Sequence, residues 1–246
     1  MEIEFIKLFH KFNAIRNLGW VESLREGSGG IGYTFETLLG KKEDHLQLPD
    51  YLGIEIKTLK YLGKRKIHLF CATPDGDVLF PIERIINVLG YPDKEFRYLK
   101  VLSVNLNATD YHSIGNKLVK IKVNWDKRKV ELLVYNIYLE KLDINISWSF
   151  SLLEKALKSK LRKLAVVMAY YKRKNGKDYY YYKHISFYEL KNTETFFKLI
   201  EKGDIGISFN IGICKDTNFF GKLNDRGTNF SIKEKNISLL FNKIDF

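Results

Sequence analysis

The chain has 246 residues, of which 45% are hydrophobic and 14% aromatic, so it can bury a substantial core and is not a disordered tail. Its formal net charge of +12 favours a polyanionic partner such as nucleic acid, although a general abundance of lysine contributes to that charge. The two cysteines are too few for a disulfide framework or a zinc site. The acidic N-terminus is no signal peptide, and no stretch approaches the roughly 20 apolar residues of a membrane span. We therefore expect a protein of the cytoplasm.

The hydrophobic pattern predicts intermixed helices and strands. The first half is predicted to contain a helix at 5–18, a flexible glycine loop at 27–32, a helix at 34–40, neighbouring strands at 54–58 and 66–72, a helix near 81–89, and strands around 97–104, 117–125 and 129–136. The second half is predicted to contain a basic helix at 150–161, a buried strand at 164–169, a hairpin at 175–176, a helix near 195–202, strands at 207–213 and 228–232, and a closing helix. This order indicates an α/β protein with one mixed central sheet flanked by helices.

The segment 48–58 carries the most specific chemistry. Its β-branched residues favour a strand, in which side chains alternate between faces, so Glu55 and Lys57 share one face and the two isoleucines share the other. Asp50 lies just before the strand, where its carboxylate can meet that of Glu55. Two carboxylates suit Mg²⁺, and an adjacent amine can orient a water or offset charge that develops on phosphorus. The segment predicts metal-assisted phosphodiester hydrolysis; an exposed edge strand with alternating charges is the competing interpretation.

Two features before this motif are more ambiguous. The glycine loop at 27–32 lacks the Lys-Ser/Thr ending of a P-loop, so plain turn chemistry or close approach to a DNA phosphate is favoured over a nucleotide cofactor. Glu36 lies one turn into the following helix. It either projects toward the motif carboxylates or is a solvated charge in the first helical turn.

Two later segments are candidates for contact with DNA. The block 170–184 interleaves tyrosine with lysine, which fits a DNA-facing hairpin and fits a two-sided exposed ribbon slightly better. The loop at 214–227 offers Lys215, Lys222, Asn224 and Arg226 as donors. Because arginine reads guanine and asparagine reads adenine, a loop of this composition could enter the major groove, although such residues are also common in ordinary loops.

Several segments share their order and character with one known family of enzymes. They are the glycine loop, Thr34-Phe-Glu36-Thr-Leu-Leu, Pro49-Asp50, Ile54-Glu-Ile-Lys-Thr58, Trp148-Ser-Phe150, Leu164-Ala-Val-Val167, Glu201-Lys-Gly-Asp204-Ile and Asp225-Arg-Gly-Thr-Asn-Phe230. Together they resemble the MvaI/BcnI restriction endonucleases, which are relatives of the mismatch-repair nicking enzyme MutH within the PD-(D/E)xK nuclease fold. The resemblance covers nearly the whole chain in colinear order.

The resemblance implies roles for the motif residues. Asp50 and Glu55 would be Mg²⁺ ligands, and Lys57 would be the catalytic amine. Glu36 matches an acid in the family's helix only by its place in the Phe-Glu-x-Leu-Leu pattern, so we expect it to support the catalytic group. The cofactor implied is Mg²⁺.

The resemblance also implies residues that contact DNA. Asn224, Asp225 and Arg226 fall in the segment where the family carries base-reading side chains. The family tends to place a basic residue where this chain has Asn210, so the recognition sequence is open. The predicted DNA-binding residues are therefore Asn210, Lys215, Asn224, Asp225 and Arg226.

The chain is therefore expected to be a single nuclease, 1–246, with catalytic elements within 25–170 and recognition elements mainly within 170–246, as two lobes around a DNA cleft. We expect a Mg²⁺-dependent type II restriction endonuclease that cuts a short double-stranded site, with a CCNGG-type site as the default. Enzymes that it resembles act as monomers that nick the two strands in turn, and a cognate DNA methyltransferase would be encoded nearby. A MutH-like mismatch-repair nickase and a catalytically silent DNA-binding module are the alternatives.

Overall fold

The computed structural model describes residues 2–41, 48–62 and 65–245, except for the side chain at 217. Within these residues the chain forms the helices α1 (Ile3–Asn17), α2 (Gly30–Leu38), α3 (Pro81–Leu89), α4 (Phe150–Lys160), α5 (Thr193–Glu201) and α6 (Ile237–Leu240), with short 3₁₀ helices at Thr217–Phe219 and Glu234–Asn236. The strands of the first half are β1 (Val21–Glu22), β2 (Ile54–Lys60), β3 (Lys66–Cys71), β4 (Tyr91–Pro92), β5 (Lys100–Leu106), β6 (His112–Ile114), β7 (Lys117–Asn124) and β8 (Lys129–Tyr135). Those of the second half are β9 (Lys141–Leu142), β10 (Ser147–Ser149), β11 (Lys163–Lys174), β12 (Lys177–Leu190), β13 (Ile205–Ile213), β14 (Leu223–Asp225), β15 (Asn229–Lys233) and β16 (Phe241–Ile244).

The chain divides into two compact units. The first unit comprises Met1–Ile67, Leu157–Asn192 and Glu234–Phe246, and the second comprises His68–Ala156 and Thr193–Lys233. The boundary near 170 that the sequence suggested lies inside β11, and both strands of the β11–β12 hairpin belong to the first unit. No helix among the residues described is long and apolar enough to span a membrane.

A five-stranded mixed sheet organises the first unit. Its order is β1-β12-β11-β2, and β16 also pairs with β12. β2 runs parallel to β11, with Glu55 opposite Leu164, whereas the other pairs are antiparallel. The predicted mixed sheet is thus confirmed, and the motif strand lies at its edge. The strand at 66–72 pairs with β15 and not with β2, so its prediction as the motif strand's neighbour was wrong.

Two helices cover one face of this sheet. α1 buries four residues at helical spacing: Phe5, Leu8, Phe12 and Ile15. They pack in one core with Ile31 and Phe35 of α2, Ile54 and Ile56 of β2, and Ala165, Val167, Tyr180 and Tyr182 of the hairpin. Because strand residues alternate, the two isoleucines of β2 face this core, and Glu55 and Lys57 lie on the opposite face.

The β11–β12 hairpin turns at Asn175 and Gly176, as the sequence predicted. Their φ values are 52° and 77°, and a type I′ turn needs positive φ at both central residues. The register shifts between Met168 and Ala169, where β12 carries one extra residue. Such a bulge increases the local twist of the strand pair.

The second unit contains two further sheets that the sequence did not indicate. One has the order β10-β8-β7-β6, with β9 also paired to β8, and the other has the order β3-β15-β13-β5-β4, with β14 paired to β13. The indole of Trp148 is buried and donates a 2.9 Å hydrogen bond to the carbonyl of Ala72. The rings of Phe150 and Phe197 stack at 3.8 Å.

Two other boundaries differ from the predictions. α2 begins at Gly30, inside the predicted glycine loop, and a side chain at Gly30 would collide with the Arg25 carbonyl and the Ser23 hydroxyl. The glycine therefore permits close packing at the start of the helix. The predicted closing helix is only the single turn Ile237–Leu240, after which β16 returns to the sheet.

Candidate active site

A tight turn joins Asp50 to the motif strand. Tyr51 and Ile54 exchange two backbone hydrogen bonds of 3.0 and 2.8 Å, and the two residues between them, Leu52 and Gly53, have φ values of 47° and 79°. This is the backbone of a two-residue hairpin turn, and positive φ at Leu52 is costly for a residue with a bulky side chain. The turn folds the chain back, so that Asp50 lies beside β2.

Asp50 is held by two donors. Its Oδ2 accepts a 2.8 Å hydrogen bond from the backbone N–H of Ile56, and its Oδ1 accepts one of 2.5 Å from Lys41 Nζ. The first bond fixes the carboxylate to the motif strand itself. The second places an ammonium that the sequence had not singled out.

Glu55 is the most buried carboxylate of the motif, with a side chain only 2% exposed. Its Oε1 accepts a 2.5 Å hydrogen bond from Lys57 Nζ and lies 3.5 Å from Lys160 Nζ. Its Oε2 is buried and has no hydrogen-bond partner among the residues described. Burial of Glu55 raises its pKa above the ordinary value, although Lys57 opposes this effect.

Glu36 joins this group from α2. Burial raises the pKa of Glu36, and the charge of Asp50 raises it further. A Cβ at Gly32 would lie 3.4 Å from Thr58 Oγ1, an ordinary van der Waals contact, so this turn of α2 lies directly beside β2. The hydroxyl of the buried Tyr182 donates a 2.8 Å hydrogen bond to the carbonyl of Ile31, which anchors the first turn of the same helix.

The donor set fits a hard divalent cation. Asp50 and Glu55 supply carboxylate oxygens, and within the described part of the chain the buried Oε2 of Glu55 lacks the partner that a buried polar atom normally has. No group of three or more histidine, cysteine or acidic side chains with a metal-binding arrangement occurs within the described ranges. A two-carboxylate site leaves room for the several waters that Mg²⁺ retains.

Sequence reasoning missed two lysines of the site, Lys41 and Lys160. Lys160 ends α4, directly before the strand that runs parallel to β2. Its only local signal was the basic last turn of a helix, because its contact with Glu55 spans more than a hundred residues. Lys41 follows α2 and offered no signal beyond its charge.

The predicted DNA-reading residues lie in the second unit, on β13 and β14, in the loop between these strands, and, for Arg226, directly after β14. Gly212 pairs with Asn224 and Ile211 with Asp225, and the N–H of Arg226 donates to the carbonyl of Asn210. The side chains of Asn210, Asn224 and Arg226 are exposed, and none has a hydrogen-bonding or ion-pairing partner within the described part of the chain. Strand alternation puts these three on the same face of the sheet.

The other two predicted residues are already engaged. Asp225 Oδ1 accepts a 2.9 Å hydrogen bond from the N–H of Gly227 and so shapes the turn after β14. Lys215 Nζ lies 2.7 Å from Glu95 and 3.3 Å from Asp93. The hydrogen bond that Lys215 donates to Glu95 raises the pKa of Lys215, and the two acids offset its charge.

Further polar residues share the face that carries Asn210. Ser103 of β5 pairs with Asn210, and Asn105 pairs with Ser208 of β13; both β5 side chains are exposed. Their short, uncharged side chains gave no functional signal in the sequence. Only the antiparallel register brings them beside the predicted residues.

Residues 9–241 match the MvaI/BcnI restriction endonuclease family. A solved structure of the restriction endonuclease MvaI in complex with its cognate DNA substrate has a TM-score of 0.91 and 29% sequence identity, covering 99% of this chain and 98% of that one. A structure of MvaI in the absence of DNA has a TM-score of 0.63 and 28% identity with the same coverage. No curated protein sequence matches the chain significantly. The resemblance and the fold class inferred from the sequence are confirmed: the chain belongs to the MvaI/BcnI restriction endonuclease family and is a site-specific DNA endonuclease.

Proposed function

We propose that this type II restriction endonuclease uses Mg²⁺, held by Asp50 and Glu55, to hydrolyse phosphodiester bonds within a short double-stranded DNA site. The observation that carries the proposal is the buried Oε2 of Glu55, which has no hydrogen-bond partner among the described residues and lies beside a second carboxylate and two ammonium groups. A buried carboxylate oxygen without a donor is unfavourable. A cation bound there would satisfy it.

The chain's own residues prepare both the metal site and the phosphate. When bound, Mg²⁺ acts as a Lewis acid on a phosphoryl oxygen and lowers the pKa of a water. Asp50 is fixed to the motif strand by the Ile56 N–H, and its Oδ1, which accepts from Lys41, would be the oxygen available to hold the cation. Lys57 shares the strand face with Glu55 and is the candidate that orients the attacking water or offsets the charge on phosphorus.

Glu36 acts on the site from α2. Its charge is near enough to interact with Asp50, Glu55, Lys41 and Lys57. Since its pKa is raised mainly by burial, a nearby cation favours its ionised form. We assign it a supporting role in holding the cation and its waters.

DNA reading is assigned to the second unit. Asn210, Asn224 and Arg226 are exposed on one face of its sheet, and arginine and asparagine are the side chains that read guanine and adenine bidentately. Lys215 and Asp225 are better suited to shaping this region, since both are engaged locally. We keep a CCNGG-type site, action as a monomer by sequential nicking, a cytoplasmic location and a DNA methyltransferase encoded nearby as parts of the proposal.

The test is digestion of unmethylated plasmid and phage DNA with Mg²⁺ and with EDTA, followed by sequencing of the fragment ends. Discrete fragments that share a short sequence, obtained only with the metal, would support the proposal and give the site. Nicked circles without linear product would favour the MutH-like nickase instead. Equal cleavage by an Asp50→Asn variant would contradict the metal-site assignment, and the Asp77→Asn variant, exposed in the second unit, is the matched control.

A further inference from the structure

The face of the mixed sheet that carries Glu55 and Lys57 continues beyond the active site along the β11–β12 hairpin. Lys57 is opposite Val166 of β11, and the residues of β11 on the same face are then Met168, Tyr170, Lys172 and Lys174. Tyr170 is opposite Tyr181 of β12, and Lys172 is opposite Tyr179. The same side of the sheet therefore changes from carboxylates to aromatic rings and then to ammonium groups.

Aromatic side chains form a continuous row on this face. The ring of Tyr61 lies 4.7 Å from that of Tyr170, and the ring of Trp20 lies 6.0 Å from that of Tyr181. Trp20 is 41% exposed and Tyr61 is 39% exposed. We call Trp20, Tyr61, Tyr170, Tyr181, Lys172 and Lys174 the aromatic–lysine track.

The two lysines of the track form no ion pair with any residue that the structure describes. Lys172 Nζ lies 4.1 Å from the centre of the Trp20 ring, a cation–π contact that orients the amine and leaves its charge in place. Lys172 and Lys174 are exposed, and neither has an acidic partner among the residues that the structure describes. Nearby Lys177, by contrast, pairs with Glu22 at 2.6 Å.

We infer that the aromatic–lysine track binds the phosphate backbone of the DNA that flanks the cleaved site. This inference rests on the proposed function. A polyanion fits the track because each phosphate neutralised by a lysine releases counterions. An acidic protein partner fits less well, because its backbone carbonyl groups would also need hydrogen-bond donors from the track. The site itself is read elsewhere, so the track adds affinity without sequence preference.

The length of the track sets how far the contact reaches. Lys172 lies six residues beyond Val166 and Lys174 lies eight, which corresponds to roughly 20 and 26 Å at about 3.3 Å per residue. One base pair advances the duplex by about 3.4 Å. If the DNA axis follows the strand, the contact falls about six to eight base pairs from the cleaved bond, outside a short recognition site.

The test compares duplexes that carry the mapped site with flanks of about 3 or about 12 base pairs on either side of the cleaved bond. Binding is measured by fluorescence anisotropy at several salt concentrations, with EDTA present so that no strand is cut. The variant is Lys172→Ala/Lys174→Ala. Its matched control is Lys7→Ala/Lys11→Ala, which removes the same charge from exposed positions of α1, the helix packed on the opposite face of the sheet.

On the long duplex, the track variant should lower the slope of log affinity against log salt by about 1.8, because each phosphate contact contributes about 0.9. The change in affinity between about 50 and 200 mM salt should then be about tenfold smaller than for the unmodified chain. The short duplex and the α1 control should show no such change, and Lys172→Arg/Lys174→Arg should restore the slope. Equal losses on both duplexes, or equal losses in the two double variants, would overturn the inference. Plasmid cleavage by the unmodified chain reports on the proposed function separately.

Discussion

In the first unit, Glu55 is almost fully buried, and its Oε1 lies near the amines of Lys57 and Lys160. In the second unit, Asn210, Asn224 and Arg226 are exposed on β13, on β14 and just after β14, without side-chain partners within the described ranges. Burial and fixed partners suit the first set, since electrostatic catalysis needs charges that are already oriented in a site shielded from water. Exposure suits the second, because side chains that read bases must reach a partner that arrives from solution. The comparison predicts that changes in the two regions damage different steps.

The largest effect should come from Lys57→Ala. Removal of one oriented electrostatic group typically lowers the catalytic rate by about 10²–10³-fold, and we expect at least that loss of cleavage with DNA affinity near normal. Single-turnover cleavage and anisotropy binding measure the two effects separately. The control is Lys60→Ala on the same strand, whose side chain lies on the other face against Tyr171. Binding that falls in step with cleavage would remove Lys57 from its catalytic role.

Arg226→Ala should produce the opposite pattern. If its guanidinium contacts a base, the variant should lose about 1–3 kcal/mol of affinity for the cognate site and discriminate less at one base pair. The rate of cleavage at saturating enzyme should change little. Lys198→Ala removes a positive charge from the same unit, where Lys198 pairs with Glu194, and should leave specificity intact. Equal losses on cognate and random DNA would reassign Arg226 to a phosphate contact.

A smaller effect is expected from Glu36→Gln in the absence of metal. The folded state raises the pKa of Glu36, so ionisation costs more in the folded than in the unfolded chain, and stability falls as the pH rises through the folded-state pKa. The glutamine variant should therefore match the unmodified chain below about pH 4. It should melt a few degrees higher than the unmodified chain at neutral pH, since a change of about 1 kcal/mol in the free energy of unfolding corresponds to roughly 2–4 °C in a chain of this size.

The measurement for Glu36→Gln is the melting temperature in EDTA across this pH range. Glu194→Gln is the control with the opposite sign, because a hydrogen bond from Lys198 lowers the pKa of Glu194. A glutamine variant less stable than the unmodified chain at neutral pH would show that the ionised form of Glu36 is stabilised by its neighbours in the folded chain. Burial would then not be the main influence on the pKa of Glu36.

Local features of the two units could be predicted from the sequence, whereas contacts between distant residues could not. Alternation in β2 is local, so the shared face of Glu55 and Lys57 followed from the pattern alone. The hairpin at 175–176 was equally accessible, because the turn chemistry of Asn-Gly is local. The parallel partner of β2 lies more than a hundred residues away, as does Lys160, and no local periodicity specifies either contact. The positive φ of Leu52, which folds Asp50 back toward β2, could not be predicted from the sequence either, because leucine rarely adopts that conformation.

The smallest effect tests how rigidly α2 is fixed in the first unit. Tyr182→Phe removes the hydroxyl that donates to the Ile31 carbonyl and keeps the ring, which packs 4.9 Å from that of Phe35. Burial raises the pKa of Tyr182, so the hydroxyl remains a donor throughout the accessible pH range. Loss of one hydrogen bond of this kind costs about 0.5–1.5 kcal/mol, or a few degrees of melting temperature.

Tyr179→Phe is the control, because the hydroxyl of Tyr179 is on the other face of the sheet near Glu22. This variant should melt within about a degree of the unmodified chain, because exposed polar contacts contribute little. If the cleavage rate of Tyr182→Phe falls by more than its loss of stability explains, and that of Tyr179→Phe does not, then the position of α2, and with it Glu36, matters to the chemistry. Equal and small changes in both variants would limit the requirement for rigid positioning to β2 and its turn.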